Sequence, residues 1–377
     1  MLLLLNSYLE MRQIIIIIAF LTGFFSVGYC QEKKEAAEDP GKVYLSLKSI
    51  SFIKNNEYSN PIIEGYTLVG YFIQPSIIYS PSEKIRLKLG THLLSYSGAP
   101  EISKVKPVFS TTYNFSGNTF LTLGTLNGSD KHRMADPHFD KERLYNAYAE
   151  EGLQFVTENK NIFSDTWISW ENFIFKGDTA REVFTFGESF RYTSGKISDI
   201  FTLEIPVQLQ FKHFGGQISN YPEHVQTFLN LSAGVRINAD IEGKRLGTAG
   251  MEYLRFVNSE LTKKGDNGIT RGNATWIRFH YNYKSLYFGS YYWKSRNFYA
   301  PNGNPIYSSV STVTENAITP DRKIWTNALY LKAFPLDYLE IFLGFDAYYD
   351  MNLKRMDTAM SLHLNFDKLI RLANVKN

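Results

Sequence analysis

A chain of 377 residues with a formal charge of +3 carries too little positive excess to act as a nucleic-acid binder. Its single cysteine, Cys30, excludes an internal disulfide framework. The 15% aromatic share, with 25 Tyr and 28 Phe, suits membrane interfaces, and a mean hydropathy of −0.24 does not exclude a membrane, because alternating strands average out to such values.

The only long apolar run covers residues 14–27. It follows Arg12 and ends at Gly28-Tyr29-Cys30, the layout of a secretory signal cut before Gln31. Residues 1–10 precede a second methionine, Met11, and read as an over-called start. The run is short for a membrane anchor, which needs about 20 residues. Tyr29 is too large for a lipobox ahead of a lipidated Cys30. Residues 31–42 (QEKKEAAEDPGK) form a flexible periplasmic lead-in.

Strands follow from residue 43. The pattern is clearest in 201–213, where Phe201, Leu203, Ile205, Val207, Leu209 and Phe211 alternate with Thr202, Glu204, Gln208, Gln210 and Lys212. Successive side chains of a strand point to opposite faces, so this strand has one apolar and one hydrated face. It is also longer than the usual soluble strand of about 5–6 residues and reaches the roughly 9–11 needed to cross a membrane. Similar segments fall at 43–55, 66–80, 85–96, 105–115, 119–126, 152–158, 162–176 and 181–192. Beyond the template strand they continue at 224–238, 246–258, 275–283, 286–295, 324–334, 338–349 and 358–366. Short turns alternate with longer polar loops. The sequence therefore specifies an all-β chain: a single transmembrane antiparallel up-and-down β-barrel of about 16 strands over residues 43–366, with 367–377 as a periplasmic tail. The count drops to about 14 if 162–176 and 246–258, which alternate poorly, are not strands. Pro75, Pro107 and Pro206 interrupt strand patterns and call for bulges.

The densest charge lies in DKHRMADPHFDKERLY, residues 130–145, in the third long loop. On hydrated strand faces, Arg86, Lys88, Glu204, Lys212, Arg236, Arg278, Glu340 and Asp346 read as lumen-facing. Both signs occur, so they set no strong selectivity, and they could equally pair across strands to fill a closed lumen. His132, Asp136, His138 and Asp140 are metal-ligating types, but no helical i, i+4 histidine pair or CxxC supports a site, so no metal and no cofactor is expected. His92, His280 and His363 fall on the hydrated face, and His213 on the apolar face near a strand end. With no nucleophile elbow, the chain reads as not an enzyme. Tyr291, Tyr292, Trp293, Trp167 and Trp170 read as an interfacial girdle.

In strand number, signal and loop placement the chain resembles the general porins, whose third loop bends into the channel. That resemblance implies a constriction lined by Arg133, Asp136, Asp140, Glu142 and Arg143. The runs HRMADPHFDKERLY, EEGLQF and WISWENFIF are also similar to an uncharacterised family of Gram-negative outer-membrane barrels. The function expected is a porin-like channel for passive diffusion of small polar solutes across the outer membrane. Its partners would be outer-membrane lipid, those solutes, and a second copy or an outer-membrane lipoprotein. The alternatives are a closed barrel serving as a structural or assembly partner and, more weakly, a soluble secreted β-sandwich or propeller.

Overall fold

The computed structural model describes residues 40–198, 200–216, 218–241, 247–262 and 268–374. The expected signal segment, and the lead-in up to residue 39, lie outside them. The strands are β1 (Lys42–Glu57), β2 (Tyr66–Ser82), β3 (Ile85–Tyr96), β4 (Lys104–Ser116), β5 (Thr119–Thr125), β6 (Glu151–Glu158), β7 (Ile162–Asn172) and β8 (Glu182–Thr193). They continue as β9 (Phe201–Gly215), β10 (Gln226–Asp240), β11 (Thr248–Glu260), β12 (Arg271–Tyr283), β13 (Leu286–Arg296), β14 (Asp321–Leu336), β15 (Leu339–Asp350) and β16 (Arg355–Asn374). Each pairs antiparallel with its sequence neighbours, and β1 pairs with β16, closing one sixteen-stranded barrel.

Parity decides what each face meets. Ile205 and Ile237 are 42% and 49% exposed on the outer face, whereas Gln210 and Asn230 are wholly buried inside. This inverts the arrangement of a soluble core, and the apolar outer band, including Leu89, Phe109, Leu123, Met251, Phe279 and Leu364, is what a barrel presents to hydrocarbon.

The three awkward prolines sit where the ladder is broken. Pro75 lies in the skip of the β2–β3 ladder between Ile73–Leu93 and Ser76–Gly90. Pro206 lies in the β9–β10 skip between Val207–Ala233 and Glu204–Arg236. Around Pro107 the break has a different origin. β4 meets β5 only from Ser110, and the Phe109 N–H already points to that side, donating to Thr125 Oγ1 at 3.1 Å. Alternate residues of a strand aim their N–H groups the same way, so the donor Pro107 lacks would have faced no strand.

Short connections (83–84, 117–118, 159–161, 284–285 and 337–338) gather at one end, with the start of β1 and the end of β16; the loops 126–150 and 297–320 leave the other. The expected tail 367–377 is corrected here. β16 continues to Asn374, because the full length of β1 needs a partner, down to the pair Lys42–Asn374.

The third loop (126–150) and seventh loop (297–320) fold into the bore. β5 and β6 are only 7 and 8 residues long, so the third loop leaves the wall part-way up. Its base is clamped by the Leu126 N–H donating to the Glu150 carbonyl at 2.9 Å. Inward side chains of the wall then pack on it: Phe52 and Phe72 on Tyr145 and Tyr148, and Trp167 on Phe139. The seventh loop contributes Phe298, Ile306 and Tyr307 to a cluster with Phe256, Trp276 and Trp293. Trp167, Trp293 and Tyr291, read from the sequence as girdle, are therefore buried inside, whereas Trp170 and Tyr292 do face outward.

The two loops are stitched together. The Asp140 N–H donates to the Asn302 carbonyl and the Asn304 N–H to the Asp136 carbonyl, at 2.7 and 3.0 Å. A Cβ on Gly303 would come within 2.0 Å of the Pro137 carbonyl oxygen, so only glycine permits this approach. Gly303→Ala is expected to push the loops apart and lower the thermal midpoint of the detergent-folded barrel by several degrees. An unchanged midpoint would mean the two loops are not held in contact.

Candidate functional site

The residues expected to form a constriction mostly converge, and each is held by a partner on the loops or the wall. Asp136 accepts from Asn304 Nδ2 at 3.0 Å and from the Lys141 N–H at 3.1 Å. Asp140 caps the 3-10 turn Lys141–Tyr145 by accepting from the Glu142 N–H. Glu142 pairs with Lys54 at 3.2 Å and accepts from Asn56. Arg143 donates to Glu150 at 3.1 Å and lies over Phe139. Arg133 does not join them: it forks onto Glu158 at 2.7 and 3.1 Å, below the base of the loop. Burial and the neighbouring Asp136 push the Asp140 carboxyl up to about 7, against the Glu142 N–H and the Lys54 and Arg143 charges.

The inner-wall charges are largely paired. Arg236 meets Glu204 at 2.8 Å and Glu252 at 2.7 Å, and Arg278 meets Glu252 at 2.8 Å. Lys212 meets Glu171 at 2.5 Å. Glu340 accepts from Asn365 at 2.8 Å and lies 3.8 Å from Lys332, and Asp346 accepts from the Tyr330 hydroxyl at 2.6 Å. Arg86 and Lys88 lie half-buried on the inner face of β3. A cavity of about 50 Å³ among Lys54, Glu142, Arg278, Tyr307, Tyr330 and Asp346 has room for water rather than for a solute. A larger one, about 310 Å³, lies among Arg181, Phe214, Glu223, Gln226, Phe228 and Tyr299 at the long-loop end.

His132 was missed as an anchor. Fully buried and stacked on Trp167 at 3.6 Å, it bonds Glu150 at 2.7 Å and Asp165 at 2.9 Å. Burial opposes its charge, but the two carboxylates outweigh burial and raise its pKa to about 9. His138 lies elsewhere, edge-on to Phe256, and burial alone pushes it down to about 3, so it is neutral. His132 and His138 thus do not converge on one site with Asp136 and Asp140. Because the folded pKa of His132 exceeds its usual 6.5, the stability it adds is full below pH 6.5 and is lost as pH rises through about 9. The thermal midpoint should fall between pH 7 and 10, and His132→Gln should flatten that fall. An equal fall in both proteins would remove His132 from the account.

A different arrangement lies on the outer face, at the long-loop end. Trp170, Phe184, His213 and Thr227 are successive register partners across β7, β8, β9 and β10. Trp170 and Phe184 stack at 5.1 Å and Phe184 and His213 at 4.8 Å. His213 Nδ1 is 2.9 Å from Thr227 Oγ1. In the tautomer protonated on Nε2, Nδ1 accepts the hydroxyl proton, which is the contact that makes an alcohol nucleophilic. The sequence placed His213 correctly on the apolar face near a strand end, but its partner is 14 residues away, and only the register joins them.

Residues 35–375 match the model of the Lipid A 3'-O-deacylase-type family. The chain belongs to that family. This corrects the expectation that the protein is not an enzyme, which rested on the absence of a contiguous catalytic motif. No curated protein sequence matches the chain. Solved structures agree on the fold. Pseudomonas aeruginosa OccK8 (OprE) superposes with a TM-score of 0.52 at 12% identity, covering 88% of this chain and 100% of its own. A loop L8 deletion mutant of Vibrio cholerae OmpT gives 0.52 at 11%, covering 88% and 100%. P. aeruginosa OprD gives 0.51 at 11%, covering 92% and 100%. This member of the deacylase-type family is thus an outer-membrane β-barrel.

Proposed function

We propose that the protein hydrolyses an acyl ester of a lipid A-type glycolipid from the outer face of its wall. The observation that carries this reading is the His213–Thr227 contact in a row of outward aromatics. Aromatic rows mark the membrane interface, the depth at which an acyl ester meets the sugar. His213 takes the Thr227 proton, Oγ1 attacks the ester carbonyl, and the sugar hydroxyl leaves with the proton returned by His213. Water then releases the fatty acid from the acyl-threonine. The family's deacylase character supports the reading, and so does the packing of two loops into the bore, which places apolar side chains where a channel would run. The test is fatty-acid release from lipid A by the folded protein in vesicles; intact lipid A after long incubation would overturn it.

The second reading is porin-like diffusion of small polar solutes. The sixteen strands and the inward third loop favour it. It requires the two loops to move, and steps of single-channel current would support it.

A further inference from the structure

The outer wall carries a second feature that ester hydrolysis does not use. Arg255 on β11, Thr275 on β12, Lys294 on β13 and Lys323 on β14 are consecutive register partners. Their positions share the outward parity of exposed Val257 and Trp325, while their inward neighbours Phe256, Ala274, Trp293 and Ile324 are buried. The next outward row toward the long loops holds Asn273, Arg296 and Asp321, and Arg271 opens β12 above it. Arg255 is held in place by donating to Thr275 Oγ1 and Asn273 Oδ1, both at 2.8 Å. Asp321, the one carboxylate in these two rows, is 4.0 Å from Arg296.

Lys294 and Lys323 stand directly opposite each other. Like charges so placed are destabilising, and an anion between them would relieve that. The row immediately below supplies the depth: Ile277, Tyr292, Trp325 and Tyr349 are register partners there. An outward Tyr–Trp–Tyr row marks the edge of the hydrocarbon, so the cations sit just outside it, at headgroup level. Two unscreened lysines and a braced guanidinium at that height complement phosphate rather than a neutral sugar.

The geometry points to a docking site on β11–β14 for the phosphorylated headgroup of an outer-leaflet glycolipid. Arg255 forks onto one phosphate, and Lys294 and Lys323 relieve their repulsion by sharing it. The inference depends on the membrane placement of the wall and not on the His213–Thr227 chemistry.

The test uses the detergent-folded full chain and native mass spectrometry of retained lipid. The probes are bis-phosphorylated lipid A, its dephosphorylated form and inorganic phosphate. Wild type should retain the phosphorylated lipid. The variant Arg255→Gln/Lys294→Gln/Lys323→Gln should bind it about tenfold or more weakly. Lys294→Arg/Lys323→Arg keeps the charge and should retain it, which guards against a folding defect in the glutamine variant. Equal retention by wild type and the glutamine variant would overturn the proposal, as would equal binding of the dephosphorylated lipid. Complete displacement by millimolar inorganic phosphate would reassign the patch to free phosphate. Fatty-acid release is scored separately on the same proteins: a wild type that hydrolyses lipid A yet does not retain the phosphorylated lipid sinks this proposal alone, and a wild type that retains it without hydrolysing it sinks only the hydrolysis.

Discussion

His213→Ala is expected to reduce fatty-acid release from lipid A by about 100-fold or more, the usual contribution of a positioned general base. Thr227→Val should do at least as much, because it removes the attacking oxygen while keeping the β-branched shape. Thr227→Ser restores a hydroxyl at the same register position and should recover most of the rate. The two losses should not multiply in the double variant, since both residues serve one proton transfer. Neither side chain holds up the barrel: both are outward, on the same face as their neighbours Phe184 and Leu229. Folded variants with unchanged release would move the chemistry elsewhere on the wall.

Deleting residues 131–143 is expected to turn a barrel that passes no measurable current into one with clear single-channel steps. The deletion removes His132 from Glu150 and Asp165, Glu142 from Lys54, and Phe139 from Trp167, and it takes away the partners of Asn302 and Asn304. The inner wall then keeps unpaired carboxylates and lysines, which attract water. The barrel ladder itself is untouched, because β5 ends at Thr125 and β6 begins at Glu151. A deletion variant that folds and still carries no current would mean the seventh loop seals the bore alone.

The barrel was legible because its outer face obeys one rule. Wherever lipid lies on one side and polar groups on the other, as in β9, period two survives in the sequence. It fails in β7 and β11 for a physical reason. There the inward positions carry Phe163 and Trp167, or Leu254 and Phe256, because the plug packs on them, so apolar side chains fall on both faces among polar ones. The same cause hid Trp293 and Trp167, whose aromatic character alone cannot tell a girdle from a plug. Within the third loop, charge density marked the right segment, but pairing could not be read. Glu142 finds Lys54 and His132 finds Asp165 across 88 and 33 residues of chain, set only by closure of the barrel. The His213–Thr227 contact and the Lys294–Lys323 opposition are likewise products of register, and neither has a contiguous signature.

The most direct test of the account is mass analysis of lipid A incubated with the wild-type protein in vesicles, with conductance recorded on the same preparation. Chemistry on the outer wall of a sealed barrel predicts lipid A lighter by one ester-linked acyl chain and a silent bilayer. Unaltered lipid A together with steady ionic current would contradict it.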